Sequence, residues 1–404
     1  QKMSKSKGNV IDPLDMIDGI DLESLVTKRT ESLMQPKLKA SIEKNTRKAF
    51  ADGILEHGTD ALRFTLASLA STGRDIHWDM NRLEGYRNFC NKLFQASNYV
   101  LMHTENQDCG FDTPAGQLEK SSVDLWIESK LNQAVEQVID ALAHYRFDRM
   151  ANVLYDFTWN EFCAWYLELT KPVLKSGTEA QKVAARHTLL SVLERLLRLM
   201  HPVMPYITES LWNDLKPLMG LEADSIMIAE YPKARDFAHA ETAVAQLEQL
   251  KHWITAVRNI RAEYQIAPSK PLTLLFQGLS SSDATVLAEQ KTLLQDIARI
   301  EDIQVLADDA ATPLSAKQVV GQAELMVPMA EFIDVAAEMA RVNKQRAKLE
   351  QDLQRIQGKL NNASFVAKAP EAVVAKEQAK CADLSHHIEK LDQQLQDLSN
   401  IDPA

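Results

Sequence analysis

The sequence predicts a mainly α-helical chain: a helical bundle, a small α/β module and a terminal antiparallel coiled coil. Three observations carry that prediction. Apolar residues recur at three-to-four spacing through much of 61–215, short β-forming runs appear only between 272 and 327, and heptads take over beyond Glu338. Composition permits it, since 404 residues with 45% hydrophobic, 25% charged and only 6% aromatic side chains suit a helix-rich chain of several domains.

Asp12-Pro13 is a helix start, with aspartate as N-cap and proline at the first helical position. Residues 18–52 are polar and basic, and Pro36 opens a second short helix. Gly58-Thr59-Asp60 is expected to cap the apolar helix 61–70. The segment 81–102 carries Phe89, Leu93, Phe94, Val100 and Leu101 at helical spacing. After a loop at 110–116 come two long helical patterns, 122–145 and 148–174, with Pro172 limiting the regular run of the second. Thr178 and Gln181 form a capping box for a helix through Met200; His201-Pro202 breaks it, and Pro205 opens another through Leu215. Long helices on short loops make a bundle.

A further helix is predicted from Glu241 to Tyr264, and then the period changes. Runs at 272–276, 303–306 and 324–327 read as strands around one helix, 284–300. Val342, Leu349, Leu353, Ile356 and Leu360 then keep a heptad seam, as do Cys381, Leu384, Ile388, Leu391, Leu395 and Leu398. The interruption at 361–370 folds the two into a hairpin.

The formal charge is −11, so any nucleic-acid contact has to use local patches. Lys28, Arg29, Lys37, Lys39, Lys44, Arg47 and Lys48, opposed only by Glu31 and Glu43, form one. The four cysteines, Cys90, Cys109, Cys163 and Cys381, lie far apart without a C-x-x-C pair. That supports neither zinc nor a disulfide framework, and reduced thiols in the cytoplasm are the plain reading. No apolar run approaches the roughly 20 residues that span a bilayer. Gln1 is not an initiator methionine and no signal-peptide pattern follows, so the sequence reads as a piece of a longer chain.

The clearest chemistry stands at the start, in Lys2-Met3-Ser4-Lys5-Ser6 followed by Lys7-Gly8-Asn9. Two ammonium groups among small hydroxyl residues suit a loop that closes over a polyphosphate. When a carboxylate attacks the α-phosphate of ATP, negative charge grows on the phosphoryl oxygens and on the departing pyrophosphate. Lys2 and Lys5 can meet that charge. Ser4 and Ser6 can hydrogen-bond phosphate or hold the backbone, and Gly8 permits a sharp bend.

This string resembles the second signature of class I aminoacyl-tRNA synthetases, and the resemblance runs from end to end. Gly58-Thr59-Asp60-Ala61-Leu62-Arg63-Phe64 is similar to the segment that follows the loop in that class. Gly73-Arg74-Asp75-Ile76 and Gly85-Tyr86-Arg87-Asn88-Phe89-Cys90-Asn91-Lys92-Leu93 resemble the opening of the anticodon-binding bundle of valyl-tRNA synthetases. Thr158-Trp159-Asn160-Glu161-Phe162-Cys163-Ala164-Trp165-Tyr166-Leu167-Glu168 and His201-Pro202-Val203-Met204-Pro205-Tyr206 resemble later parts of the same family. So do Val257-Arg258-Asn259-Ile260-Arg261-Ala262-Glu263 and the turn Ser364-Phe365-Val366-Ala367-Lys368-Ala369-Pro370-Glu371. The chain is thereby identified as similar to the C-terminal part of a bacterial valyl-tRNA synthetase. Ala164 departs from the pattern, since the family usually has an acidic residue there.

The resemblance implies four parts. They are the loop and a stem-contact remnant of the catalytic domain at 1–56, the class I anticodon-binding helical bundle at 57–235, a linker helix with a small α/β module at 236–337, and a coiled-coil tRNA-binding arm at 338–404. For the whole protein it implies a valine–tRNA ligase that uses ATP, with Mg2+ accompanying it, and charges tRNA(Val). It further implies a cytoplasmic monomer with no zinc in this chain and no membrane contact. Lys5 is then the chief transition-state contact and Lys2 the second, with Ser4 and Ser6 beside them at ATP. Leu167 and Glu168 line the anticodon pocket and Tyr99 lies beneath an anticodon base, a plain packing tyrosine being the other reading of Tyr99. Arg341, Lys344, Arg346, Lys348, Arg355 and Lys359 meet the tRNA backbone, or else are solvated coiled-coil flanks.

Most of the catalytic domain, the valine pocket and the editing domain would lie outside these residues, so the chain alone is expected to be inactive. Trp159, Phe162, Cys163 and Tyr166 share one helical face and read as bundle core. His386 and His387 read as solvated, and Cys381 as an apolar seam residue. Two rivals stay open. An isoleucyl- or leucyl-tRNA synthetase shares the loop and bundle, although clustered cysteines of the isoleucyl kind are missing and the coiled-coil ending favours valine. The other is a free-standing tRNA-binding or scaffold protein.

Overall fold

Two units divide the chain, 1–247 and 248–404. The computed structural model describes residues 2–4, 7–31, 33, 35–73, 75–234, 240–329, 332, 335–360, 380–381, 384–385, 388 and 391–392.

The first unit opens as its caps dictate. Leu14 N donates to Asp12 Oδ1 at 3.0 Å and starts α1 (Pro13–Ile17). Helices α2 (Leu22–Glu31) and α3 (Lys39–Ala49) pack together, the second entered through the Pro36–Leu38 turn. Ile20 and Ile54 exchange backbone hydrogen bonds of 2.8 Å and return the chain to α1.

At α4 (Thr59–Leu69) the expected cap is not the one that forms. Gly58 stands at the N-cap with φ +80° and no side chain to offer. The Asp60 carboxylate turns away from its own helix and accepts from Ile207 N at 2.7 Å and Tyr206 N at 3.4 Å. Those are first-turn amides of α10 (Pro205–Leu215). One turn further, Arg63 donates from Nε to Val203 O and from Nη2 to Pro202 O, each at 3.0 Å. Helix α4 therefore satisfies both the amides and the carbonyls that the break after α9 leaves open.

The bundle comprises α5 (Met80–Thr104), α6 (Ser122–Ala143), α7 (Phe147–Asp156), α8 (Leu167–Ser176), α9 (Glu179–Met200) and α10. Capping boxes start α6 at Ser121 with Asp124 and α9 at Thr178 with Gln181. Trp126, Leu131, Val135, Leu193, Leu196 and Trp212 fill the interior. Pro172 lies inside α8, which ends at Ser176, two residues past the expected 174. The irregularity lies upstream, where 157–166 winds as a wider π-helix between α7 and α8. That winding seats a crowded aromatic run, with Tyr155 stacked on Trp159 at 5.6 Å and Phe162 on Tyr166 at 5.9 Å.

In the second unit, α11 (Ala240–Glu263), which begins in the first, buries Leu250, Trp253, Ile254, Val257 and Ile260. A four-stranded sheet has the order β2-β1-β4-β3. Strand β1 (Leu272–Gln277) pairs in parallel with β2 (Ile300–Val305) through the crossover helix α12 (Ser281–Ala298). β4 (Ala323–Pro328) runs antiparallel to β1 and to β3 (Ser315–Val320). The sequence reading missed β3, because an edge strand rich in Ser315, Lys317 and Gln318 lacks the apolar run that marks a buried one. Arg261 ties the module together by donating to the carbonyls of Ala267, Ala298 and Arg299 at 3.0–3.2 Å.

Helix α13 (Val335–Leu360) follows, with Val342 buried and Leu349, Leu353, Ile356 and Leu360 half-buried along the heptad seam. Arg346 Nε meets Asp392 Oδ1 at 2.6 Å, which pairs the start of one heptad run with the end of the other as an antiparallel coiled coil requires. Cys381, Leu384, Ile388 and Leu391 are helical and half-buried. The turn at 361–370 and the histidines at 386 and 387 lie outside the described residues.

Replacing Asp60 with alanine should destabilise the first unit by about 1–2 kcal/mol in urea denaturation, because two α10 amides lose their acceptor where water is excluded. A second expectation concerns pH. His187 stacks on Phe111 at 4.6 Å and approaches the Cys109 carbonyl at 3.2 Å, while the His201 ring lies 2.8 Å from the Thr208 hydroxyl. Burial holds both imidazoles below their ordinary value of 6.5. Between the unfolded and folded values the unfolded chain binds more protons, so stability should fall as pH drops through about 6.5 and below. Urea midpoints measured across that window should decline, and the His187→Gln/His201→Gln double variant should flatten the decline.

Candidate functional site

The amino-terminal loop is held by one amide side chain. Asn9 accepts from Ser4 N at 2.7 Å and donates to Lys2 O at 3.2 Å, and Lys7 N closes a turn onto Ser4 O at 3.0 Å. The Lys2 and Met3 side chains are exposed. Lys5 and Ser6 lie outside the described residues. Gly8 has φ +59°, and a Cβ there would stand 2.7 Å from Arg29 O and 2.8 Å from Ile42 Cδ1. The expected bend is thus a position only glycine fills. Arg29 Nε donates to the Gly8 carbonyl at 2.9 Å and fixes the loop's exit against α2. Motif reading did not single out Asn9, the residue that pins the loop; its only signal was an amide beside the loop glycine.

The basic patch near α3 is smaller than its sequence. Lys28 bridges Asp12 at 2.9 Å and Asp15 at 2.7 Å, and those carboxylates raise its pKa. Arg29 stands 5.7 Å over the Phe50 ring. Arg47 pairs with Glu23 and with Glu43, which holds it above the ordinary arginine value. Lys37, Lys39, Lys44 and Lys48 remain as exposed side chains.

In the bundle, the structure brings Tyr99 of α5 and Glu168 of α8 to one place. Lys171 joins them: its Nζ is 2.6 Å from Glu168 Oε1 and 5.9 Å from the Tyr99 ring centroid. The His103 ring packs 4.3 Å from Tyr99. Burial raises the Tyr99 phenol, the Thr170 hydroxyl works against the rise, and the Glu168 charge adds to it. Leu167 is only 7% exposed and belongs to the interior, so Glu168, with 45% of its side chain exposed, presents the polar face. Lys171 and His103 were not singled out from sequence, although each lies one turn from a residue that was. Ala164, one turn before Glu168, is exposed.

The stripe read as core divides in two. Phe162, Cys163 and Tyr166 are buried, but Trp159 is half-buried, with Lys92 Nζ 5.9 Å from its ring centroid. Helix α7 puts Tyr155 beneath that indole, and the rings are within 8° of parallel.

On the arm, Lys344, Lys348 and Arg355 are exposed, and Arg355 approaches Asp352 at 3.5 Å. Arg346 is half-buried between Glu350 at 3.1 Å and Asp392, so it serves the hairpin itself. The backbone of Arg341 and Lys359 is helical, while their side chains lie outside the described residues. Among the described residues no three His, Cys, Asp or Glu side chains cluster as a metal site needs, and no helix is long and apolar enough to cross a membrane.

Three family models match the chain: tRNA synthetases class I (I, L, M and V) over 1–79, the anticodon-binding domain of tRNA ligase over 124–276, and the valyl tRNA synthetase tRNA binding arm over 334–399. Among solved structures, the chain is similar to the agnB2 LeuRS of Agrobacterium radiobacter K84, crystallised as a ternary complex with tRNA and LeuAMS. Identity is 15% and the TM-score 0.35, over 76% of this chain and 30% of that one. The chain therefore spans less than a third of that relative's length.

Replacing Asn9 with alanine should release Ser4 N and Lys2 O together. Amide hydrogen exchange at Ser4 should quicken by about two- to ten-fold, the worth of one such hydrogen bond, while the melting temperature of the bundle stays put.

Proposed function

Because the chain belongs to the class I aminoacyl-tRNA synthetases, as a C-terminal part of a valyl-like member, we propose that it is the tRNA-recognising region of a valine–tRNA ligase. The observation that carries the reading is the meeting of Tyr99, Glu168 and Lys171 on one face of the anticodon-binding bundle. An aromatic ring, a carboxylate and an ammonium group together offer an unpaired base a surface to stack on, an acceptor for its edge and a cation for its phosphate. The choice of valine is supported by the arm, whose family is the valyl one.

In this reading Lys344, Lys348 and Arg355, with Arg341 and Lys359, give the arm a sequence-independent hold on the tRNA(Val) backbone. Arg346 acts there chiefly by bracing the hairpin. At the other end, the exposed Lys2 and the loop pinned by Asn9 and Gly8 suit a polyphosphate, so ATP, with Mg2+, is the nucleotide proposed for Lys2, Ser4, Lys5 and Ser6. The lysines would neutralise the charge that develops as pyrophosphate leaves. Valine activation calls for further groups beyond this loop, and the chain by itself is expected to be inactive in that step. The whole protein is read as a cytoplasmic monomer.

Titrating the chain with tRNA(Val) and with the same tRNA carrying a substituted anticodon tests the reading. The native anticodon should bind more tightly. Glu168→Ala should cut that preference by about ten-fold, the loss expected of a charged hydrogen bond, and should leave the salt dependence set by phosphate contacts unchanged. Equal affinity of the unaltered chain for both tRNAs would sink the anticodon assignment.

A further inference from the structure

We propose that Trp159 and Lys92 form a second nucleotide station, which takes an unpaired base and its phosphate from the same RNA loop that reaches Tyr99. The proposal rests on the anticodon reading above and extends it along the seam between α5 and the α7–α8 run.

The seam is defined by contacts at both ends. Tyr86 of α5 packs on Tyr155 of α7 at 6.1 Å, and further along Tyr99 faces Lys171 of α8 at 5.9 Å. The two helical runs therefore lie side by side in the same direction. Two ring-and-ammonium pairs sit along that seam, Lys92 with Trp159 and Lys171 with Tyr99, each at 5.9 Å. Lys92 and Tyr99 are seven residues apart in α5, which puts them on one face about 10 Å apart. That separation is roughly three stacked bases at about 3.4 Å each.

Trp159 is built unlike a packing residue. Its neighbours Phe162, Cys163 and Tyr166 are inside the bundle, while the indole is left half-open to solvent. Stacking on Tyr155, within 8° of parallel, fixes the plane of the ring before any ligand arrives. Tyr155 is itself held by Phe89 at 5.0 Å. A base laid on that plane has little ordering left to do, and stacking on an aromatic platform serves any base. Trp159 also lies within the π-wound segment, a geometry that recurs at functional sites.

The ammonium supplies the second half. Lys92 covers the indole, and a base stacked there gains more than an exposed cation–π contact loses. The displaced ammonium remains in reach of the phosphate that accompanies the base. The partner is thus a polyanion with unpaired bases, namely single-stranded RNA. The seam carries two ammonium groups, that of the half-buried Lys92 and that of Lys171, the second paired with Glu168.

The test uses the full chain and an anticodon stem-loop RNA of the valine type, with 4-thiouridine placed in turn at each loop position. Lys92→Met and Trp159→Leu should each weaken binding by about five-fold or more, and Trp159→Phe should restore most of it. A crosslink should map to Trp159 from a loop position other than the one that maps beside Tyr99. Melting curves guard against a packing defect. Loss in Trp159→Leu without loss in Lys92→Met and without a crosslink at Trp159 is what mere packing gives, and it overturns the proposal. If Tyr99→Leu weakens binding while Lys92→Met and Trp159→Leu bind as the parent does, the second station falls and the anticodon reading stands. If the unaltered chain does not bind the RNA, both fall together.

Discussion

The break between α9 and α10 is the constraint on which the first unit depends. Any helix that ends inside a bundle strands carbonyls on one side and amides on the other, and leaving them unpaired there is costly. Helix α4 answers both from a single turn, Asp60 taking the amides of Tyr206 and Ile207 and Arg63 filling the carbonyls of Pro202 and Val203. Burial pushes the Asp60 carboxyl up, and the two amides, with the Arg63 and His201 charges, hold it down. Because α4 also packs through Ala61 and Leu62 onto Met16 and Leu83, the bond to α10 fixes α1 as well as the bundle. The base of the amino-terminal loop is thereby joined, through α1 and α4, to the bundle whose helices hold Tyr99 and Glu168.

In this acidic protein many of the strongly placed cationic side chains are taken up by the protein's own carbonyls and carboxylates. Arg29, Arg63 and Arg261 each donate to backbone carbonyls, while Lys28, Arg47 and Arg198 are matched to carboxylates. Such pairs at a surface stabilise little by themselves; their effect is to set loop and helix ends in place. Lys37, Lys39, Lys44 and Lys48 near α3 and Lys344 and Lys348 on α13 are among the exposed lysines, while Lys92 is half-buried and Lys171 is paired with Glu168. A polyanion would meet discrete stations rather than a broad positive field.

The aromatic residues of the bundle divide by the same logic. Phe64 and Phe89, tilted at 5.2 Å, are core, and Tyr155 joins them to the half-open Trp159. A ladder of rings thus runs from the interior to the solvent. The inner members contribute burial, and the outer one gains a fixed orientation from them. The stack spans the junction of two windings, with Tyr155 at the end of α7 and Trp159 in the π-wound segment.

What the sequence by itself determined is whatever depends on near neighbours. Aspartate before proline starts α1, threonine three residues before glutamine starts α9, the heptads set the coiled coil, and Gly8 marks a bend no other residue can make. The caps are decided within one turn of chain, where spacing is contact, whereas the closeness of Arg29 and Ile42 to Gly8 comes from the fold. Only the tertiary structure decided the rest. Asp60 looks like the cap of its own helix and serves another 146 residues away in sequence. Strand β3 is too polar to announce itself and forms because β4 offers it an edge. Trp159 has the spacing of a core residue, yet Tyr155 and Lys92 hold it half-open. Lys171 gains its meaning only when Tyr99 of another helix comes beneath it. These choices turn on which polar group or ring face a distant segment brings near, and periodicity carries no record of that.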